Sequence, residues 1–172
     1  MEGQTALRLF AFPYLLNLFF YRLLAMARSC TILMADDDAD DCLLVREALV
    51  ESGRNYDLRV VRNGEELLDY LRRRGPYAAS GAAPRPDLIL LDLKMPKKDG
   101  RESLRELKGD VQLMQIPVVM LTTSTDKEDI AFAYKAGVNS YVTKPVSFRA
   151  LVDLMDTLGK YWLETVEPPC RE

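Results

Sequence analysis

From residue 31 onward, short apolar runs alternate with stretches whose apolar residues recur at helical spacing. Runs at 31–35, 58–61, 88–91, 118–121 and 140–142 predict strands, and segments at about 39–52, 64–74, 100–108, 127–136 and 147–163 predict helices. In the last helix Phe148, Leu151, Met155, Leu158 and Trp162 fall on one face. Asn63-Gly64 marks the start of the second helix, and Gly137 takes the C-terminal glycine position of the fourth. The runs ILM, LILL and VVML lack the alternation of a half-exposed sheet, as strands buried on both faces require. Five strands alternating with five helices predict an α/β fold, a doubly wound parallel sheet covered on both sides.

Residues 1–27 break this pattern. The stretch LRLFAFPYLLNLFFYRLLAMA carries only Arg8 and Arg22 as charges, and Pro13, Asn17 and Arg22 interrupt any membrane-spanning reading. Ala25-Met26-Ala27 resembles a signal-peptidase site, although Glu2 offsets Arg8 in a weak n-region. An interfacial amphipathic helix and an upstream extension before a true start at Met26 are the other readings. The expected division is an apolar extension at 1–27, one globular domain at 28–165 and a short tail at 166–172. The loop at 72–87 reads as an exposed connection, and Arg72-Arg73-Arg74 as the cationic last turn of the second helix rather than a nucleic-acid patch. No helix-turn-helix has room to follow Trp162.

Composition excludes more than it suggests. The chain has 172 residues, 28% of them charged, and a formal charge of −3, which gives no general attraction to nucleic acid. Cys30, Cys42 and Cys170 are odd in number and far apart, so a reducing cytoplasm is the simpler setting than a disulfide framework. There is no histidine. Ser-His-Asp and Cys-His catalysis, and histidine-containing zinc sites, are therefore excluded within this chain.

In an open parallel sheet, sites form beyond the carboxyl ends of the strands. Those ends carry Asp36-Asp37, Asp92, Thr122-Thr123 and Lys144-Pro145. Asp36, Asp37 and Asp92 bring −3 and Lys144 brings +1, a local excess of −2 that either raises the carboxyl pKa values or binds a divalent cation. Oxygen ligands without histidine suit Mg2+, and a carboxylate beside a lysine and a hydroxyl is equipped for phosphoryl transfer. Singly, each residue has a plainer reading. Asp36 or Asp37 could cap a helix, Thr122 could cap the fourth helix, and Lys144 could be a surface lysine. Asp38, Asp40 and Asp41 read as loop and first-turn acids. Asp92 behind LILL is harder to explain structurally, because a buried unpaired carboxylate is expensive.

The motifs ILMADDDADD, DLILLDLKMPKKDG, IPVVMLTTS and NSYVTKP resemble those of response regulator receiver domains, over about residues 30–163. The resemblance implies a flavodoxin-like (βα)5 fold with strand order 2-1-3-4-5. It implies that Asp92 is the phosphoacceptor, that Asp36, Asp37, Asp92 and the Lys94 backbone carbonyl hold Mg2+, and that Lys144 contacts the phosphoryl group. Thr122 and Tyr141 would form the switch, and Pro145 would follow a cis bond. The long loop before Asp87 and the PKKDGRE segment are similar to stand-alone regulators paired with phytochrome-type sensor kinases, many of which dimerise. The implied function is a single-domain cytoplasmic response regulator, not an enzyme acting on an external metabolite. Its partners would be a sensor histidine kinase or histidine phosphotransfer protein, an unknown downstream protein and a second copy through the last helix. The competing readings are a carboxylate-nucleophile phosphatase, for which Asp36-Asp37-Asp38 supplies a D-x-D, and a non-phosphorylated scaffold.

Overall fold

The computed structural model describes residues 30–54 and 56–166. The apolar extension and the tail after residue 166 lie outside the described residues. Along the chain run β1 (Cys30–Ala35), α1 (Ala39–Glu51), β2 (Tyr56–Val61), α2 (Gly64–Leu71), β3 (Leu88–Leu91), α3 (Gly100–Gly109), β4 (Val118–Thr122), α4 (Lys127–Lys135), β5 (Ser140–Thr143) and α5 (Phe148–Gly159). Every strand pairing is parallel and the sheet order is β2-β1-β3-β4-β5, the doubly wound arrangement expected. Among the described residues no helix is long and apolar enough to cross a membrane.

Strand periodicity sorts the apolar residues onto two faces. Leu33, Ala35, Ile89, Leu91, Val118 and Met120 pack with Leu67, Leu104, Leu107 and Ala133 from α2, α3 and α4. The intervening Ile32, Met34, Leu88, Leu90, Val119 and Leu121 pack with Val45, Ala48, Leu151 and Met155 from α1 and α5. Covering both faces explains the continuous apolar runs. Each fully buried leucine or isoleucine in them contributes about 1.5–3 kcal/mol.

Each helix starts at a side-chain cap. Asp38, Asn63, Asp99, Asp126 and Ser147 each accept a backbone N–H from the first turn of the helix that follows. All five helices follow the carboxyl end of a strand, so caps and strand ends together fix the loops of that edge. Gly137, at φ +91°, closes α4 in the left-handed conformation expected of it.

Three features differ from expectation. Helix α2 stops at Leu71, because Arg73 turns left-handed at φ +52° and the Arg74 N–H reaches back to the Asp69 carbonyl. The arginine triplet therefore lies beyond the helix, where Arg72 pairs with Glu106 of α3 and with Asp110 just past its end. The loop that follows is not wholly exposed: Ala83 is buried, and Tyr70 meets Tyr77 edge-on at 5.2 Å. The last helix divides at Gly159, whose missing side chain admits the Tyr56 ring, and continues as a π-helical segment at Lys160–Thr165. Leu151, Met155 and Leu158 are buried as the helical face predicts, but Phe148 is 42% exposed. Trp162 packs against the α1–α5 side of the core, with Tyr161 edge-on beside it.

Candidate functional site: an acidic pocket at the strand ends

The sheet itself carries the site residues into place. The Asp36 N–H bonds the Val61 carbonyl at 3.0 Å, the Asp92 N–H bonds Ala35 at 2.9 Å, and the Lys144 N–H bonds Thr122 at 2.8 Å. Each is a last rung of a parallel ladder, so the side chains emerge from backbone that cannot drift. Gly100 completes the support. A Cβ there would fall on the Asp92 carbonyl oxygen and 2.8 Å from Leu93 Cα, so only glycine lets α3 begin so close to β3.

The carboxylates of Asp36, Asp37 and Asp92 each offer an oxygen within 4.8 Å of the others. Asp36 and Asp92 are buried and Asp37 is exposed, which leaves the cluster open on one side. The Asp36 carboxylate accepts the Asp38 N–H at 3.0 Å, and Asp92 Oδ2 accepts the Lys94 N–H at 2.8 Å. Lys144 Nζ lies 2.6 Å from Asp36 Oδ2, 2.6 Å from Asp41 Oδ2 and 3.5 Å from Asp92 Oδ1. Burial opposes the charge on Lys144, but its bonds to Asp36 and Asp41 and the field of Asp92 outweigh burial and hold the ammonium above its usual range. Burial pushes the Asp36 carboxyl up, against the pull of Lys144.

Thr122 is fully buried, and its Oγ1 accepts the Ser124 N–H at 3.4 Å. Half-buried Tyr141 donates its hydroxyl to the Ser124 carbonyl at 3.1 Å. The structure thus brings Asp36, Asp37, Asp92 and Lys144 into one pocket, while Thr122 and Tyr141 meet at the Ser124 turn beside it. Lys94 enters through its backbone N–H, with its side chain exposed.

One expectation fails. No cis peptide occurs among the described residues, so the Lys144–Pro145 bond is trans. A trans X–Pro bond is favoured by about 0.5–1 kcal/mol, and here Lys144 already reaches Asp36, Asp41 and Asp92 with it.

Asp41 also joins the pocket, a partnership that its reading as a first-turn acid did not include. It sits in the first turn of α1, as expected of a helix-start acid, yet its carboxylate is also a direct partner of Lys144. Counting it raises the local excess from −2 to −3. Three hard oxygen donors and no nitrogen or sulfur fit a small divalent cation such as Mg2+.

A family model for the response regulator receiver domain matches residues 32–156. The chain belongs to the response regulator receiver family. Over 138 residues this receiver is 42% identical to response regulator Rcp1 of Synechocystis sp., covering 80% of this chain and 92% of that one. It is similar to the crystal structure of the phosphorylated cyanobacterial phytochrome response regulator RcpA, with a TM-score of 0.77 and 41% identity over 83% of this chain and all of that one. It is also similar to the Mn2+-bound form of Rcp1, with a TM-score of 0.74 and 40% identity over 82% of this chain and 99% of that one. These likenesses place the receiver among phytochrome-associated relatives of two-component signalling.

Proposed function

We propose that this receiver takes a phosphoryl group on Asp92 from a phosphohistidine of a partner kinase or phosphotransfer protein, with Mg2+ bound by Asp36, Asp37, Asp92 and the Lys94 carbonyl. The observation that carries the reading is the single pocket formed by three carboxylates and Lys144. The bound cation would supply charge neutralisation at the transferring phosphoryl oxygens.

The chain's own groups supply the rest. One oxygen of Asp92 attacks phosphorus as the P–N bond to the partner's imidazole breaks, leaving a neutral phosphoaspartate carbonyl and a phosphoryl dianion. Lys144, fixed by Asp36 and Asp41, stays 3.5 Å from Asp92 and is placed to meet a phosphoryl oxygen. The Lys94 N–H already bonds one Asp92 oxygen, which orients the carboxylate. The Thr122 hydroxyl, accepting from Ser124, keeps its own proton to donate. Engagement of Thr122 would shift the Ser124 turn and with it Tyr141, changing the surface that a downstream protein reads.

The likeness to phytochrome-associated regulators supports a phytochrome-type sensor kinase as the partner, a cytoplasmic setting, and a homodimer through the last helix, where Tyr161 is exposed. The phosphoryl group taken from the partner is later lost by hydrolysis at Asp92.

Incubation with a small acyl phosphate and Mg2+, read by intact mass, tests the proposal. One added phosphoryl group is expected, absent after chelation. Steady turnover of phosphate monoesters would favour a phosphatase instead, and an unchanged mass a scaffold.

A further inference from the structure

We infer that Asp129 is a positioning residue for phosphoryl transfer, because it holds the turn at Ser124 that sets the Thr122 hydroxyl and the Tyr141 ring. The inference rests on Asp92 being the phosphoacceptor.

Asp129 lies in the first turn of α4 and is 6% exposed. A buried carboxylate there exceeds what a helix start requires, since Asp126 already caps α4 by accepting the Glu128 N–H at 2.9 Å. Asp129 instead reaches outward in two directions. Its Oδ2 takes the Ser124 hydroxyl at 2.5 Å, and its Oδ1 is bonded by Arg101. Such charge-assisted bonds at a buried carboxylate are among the stronger ones a protein makes.

Both ends of this clamp belong to the site. Arg101 follows Gly100, the residue packed on the Asp92 carbonyl, and the Gly100 N–H bonds Leu93 at 2.9 Å. Ser124 gives its N–H to Thr122 and its carbonyl to Tyr141. The Ser124 hydroxyl also accepts the Asp126 N–H at 3.3 Å, so its oxygen is fixed from both sides. The clamp therefore bridges the first turn of α3, which packs on the phosphoacceptor's backbone, to the turn after β4, which directly follows the threonine. The Arg101 guanidinium gains further restraint from the Phe132 ring, 5.3 Å from its centroid. With the turn held, Thr122 is oriented before phosphate arrives; with it released, that ordering must occur during transfer.

The test is single-turnover uptake of phosphate from a small acyl phosphate at saturating Mg2+, with Mg2+ affinity measured separately by calorimetry. Ser124→Ala and Asp129→Asn should each slow uptake about fivefold, the effect of one ordinary hydrogen bond. Their combination should be no slower than either alone, because both cut the same link. Ser124→Thr, which keeps the hydroxyl, should restore the rate, and Mg2+ affinity should not move in any variant. A purely structural role would not give this pattern. Unchanged uptake in Ser124→Ala, or multiplying losses in the double variant, overturns the inference while the phosphoacceptor reading stands. No uptake by the unaltered protein overturns that reading, and this one with it.

Discussion

Replacing Lys144 with methionine should make the folded protein depend on a divalent cation. Lys144 Nζ is 2.6 Å from both Asp36 and Asp41 and 3.5 Å from Asp92, with only 13% of its side chain exposed. At an effective dielectric near 20, a unit pair at such distances is worth roughly 5–6 kcal/mol before desolvation is charged against it. Removing one partner of a buried pair costs about 3–5 kcal/mol in practice, because the charge left behind is uncompensated. Here Asp36 and Asp92 would be left buried beside Asp37 and Asp41 without a cation. Mg2+ would then replace the missing charge and meet less repulsion, so its affinity should rise by about tenfold or more. Ligand linkage converts that affinity into stability. Urea unfolding with and without Mg2+ should show a loss of about 3–5 kcal/mol in the metal-free variant, and a larger gain on adding Mg2+ than the unaltered protein shows. A Mg2+ gain equal to or smaller than that of the unaltered protein would refute the shared-charge reasoning.

Two further outcomes follow from particular contacts. Gly100→Ala would drive a Cβ into the Asp92 carbonyl and Leu93 Cα, backbone that cannot swing aside. Urea denaturation should show a loss of about 1–3 kcal/mol, and acyl-phosphate labelling should slow with it; a neutral alanine would contradict the close approach. Tyr70 is buried, which pushes its hydroxyl up to about 12, and it donates to the Pro84 carbonyl at 3.0 Å. A raised folded pKa contributes stability that is complete below the unfolded value near 10 and is lost as pH climbs through about 12, roughly 2–3 kcal/mol in total. Burial also raises Tyr56 and Tyr77, so absorbance titration should show that the last tyrosine to ionise, near 12, is the one lost in Tyr70→Phe; its persistence in that variant would reassign it.

Much of the fold was legible because burial on both sheet faces leaves an unmistakable record. The runs around Leu33, Leu90 and Met120 could only be central strands, and the residues directly behind them had to share the sheet's carboxyl edge. Asp36, Asp37, Asp92 and Lys144 were visible for that reason. Partnerships between helix and loop were not. Asp41 looked like a first-turn acid and is one, but sequence spacing cannot show that a lysine 103 positions away completes it. Asp129 was hidden in the same way, since its partners Arg101 and Ser124 lie on two different loops or helices. The end of α2 depended on Arg73 adopting a left-handed conformation that arginine rarely takes, so the pattern over-extended the helix. The trans bond before Pro145 departs from what the family resemblance implied, and nothing in the local sequence distinguishes the isomers.

The most direct test of Asp92 as the acceptor uses the chemistry of the acyl phosphate itself. Borohydride reduces a phosphoaspartate to homoserine, releasing phosphate, and leaves free carboxylates alone. After treatment with a small acyl phosphate and Mg2+, peptide mapping should find homoserine at position 92 and nowhere else, and none in Asp92→Asn or in chelator. Homoserine at Asp36 or Asp37, or none at position 92 while phosphate is retained, would contradict a pocket built around Asp92.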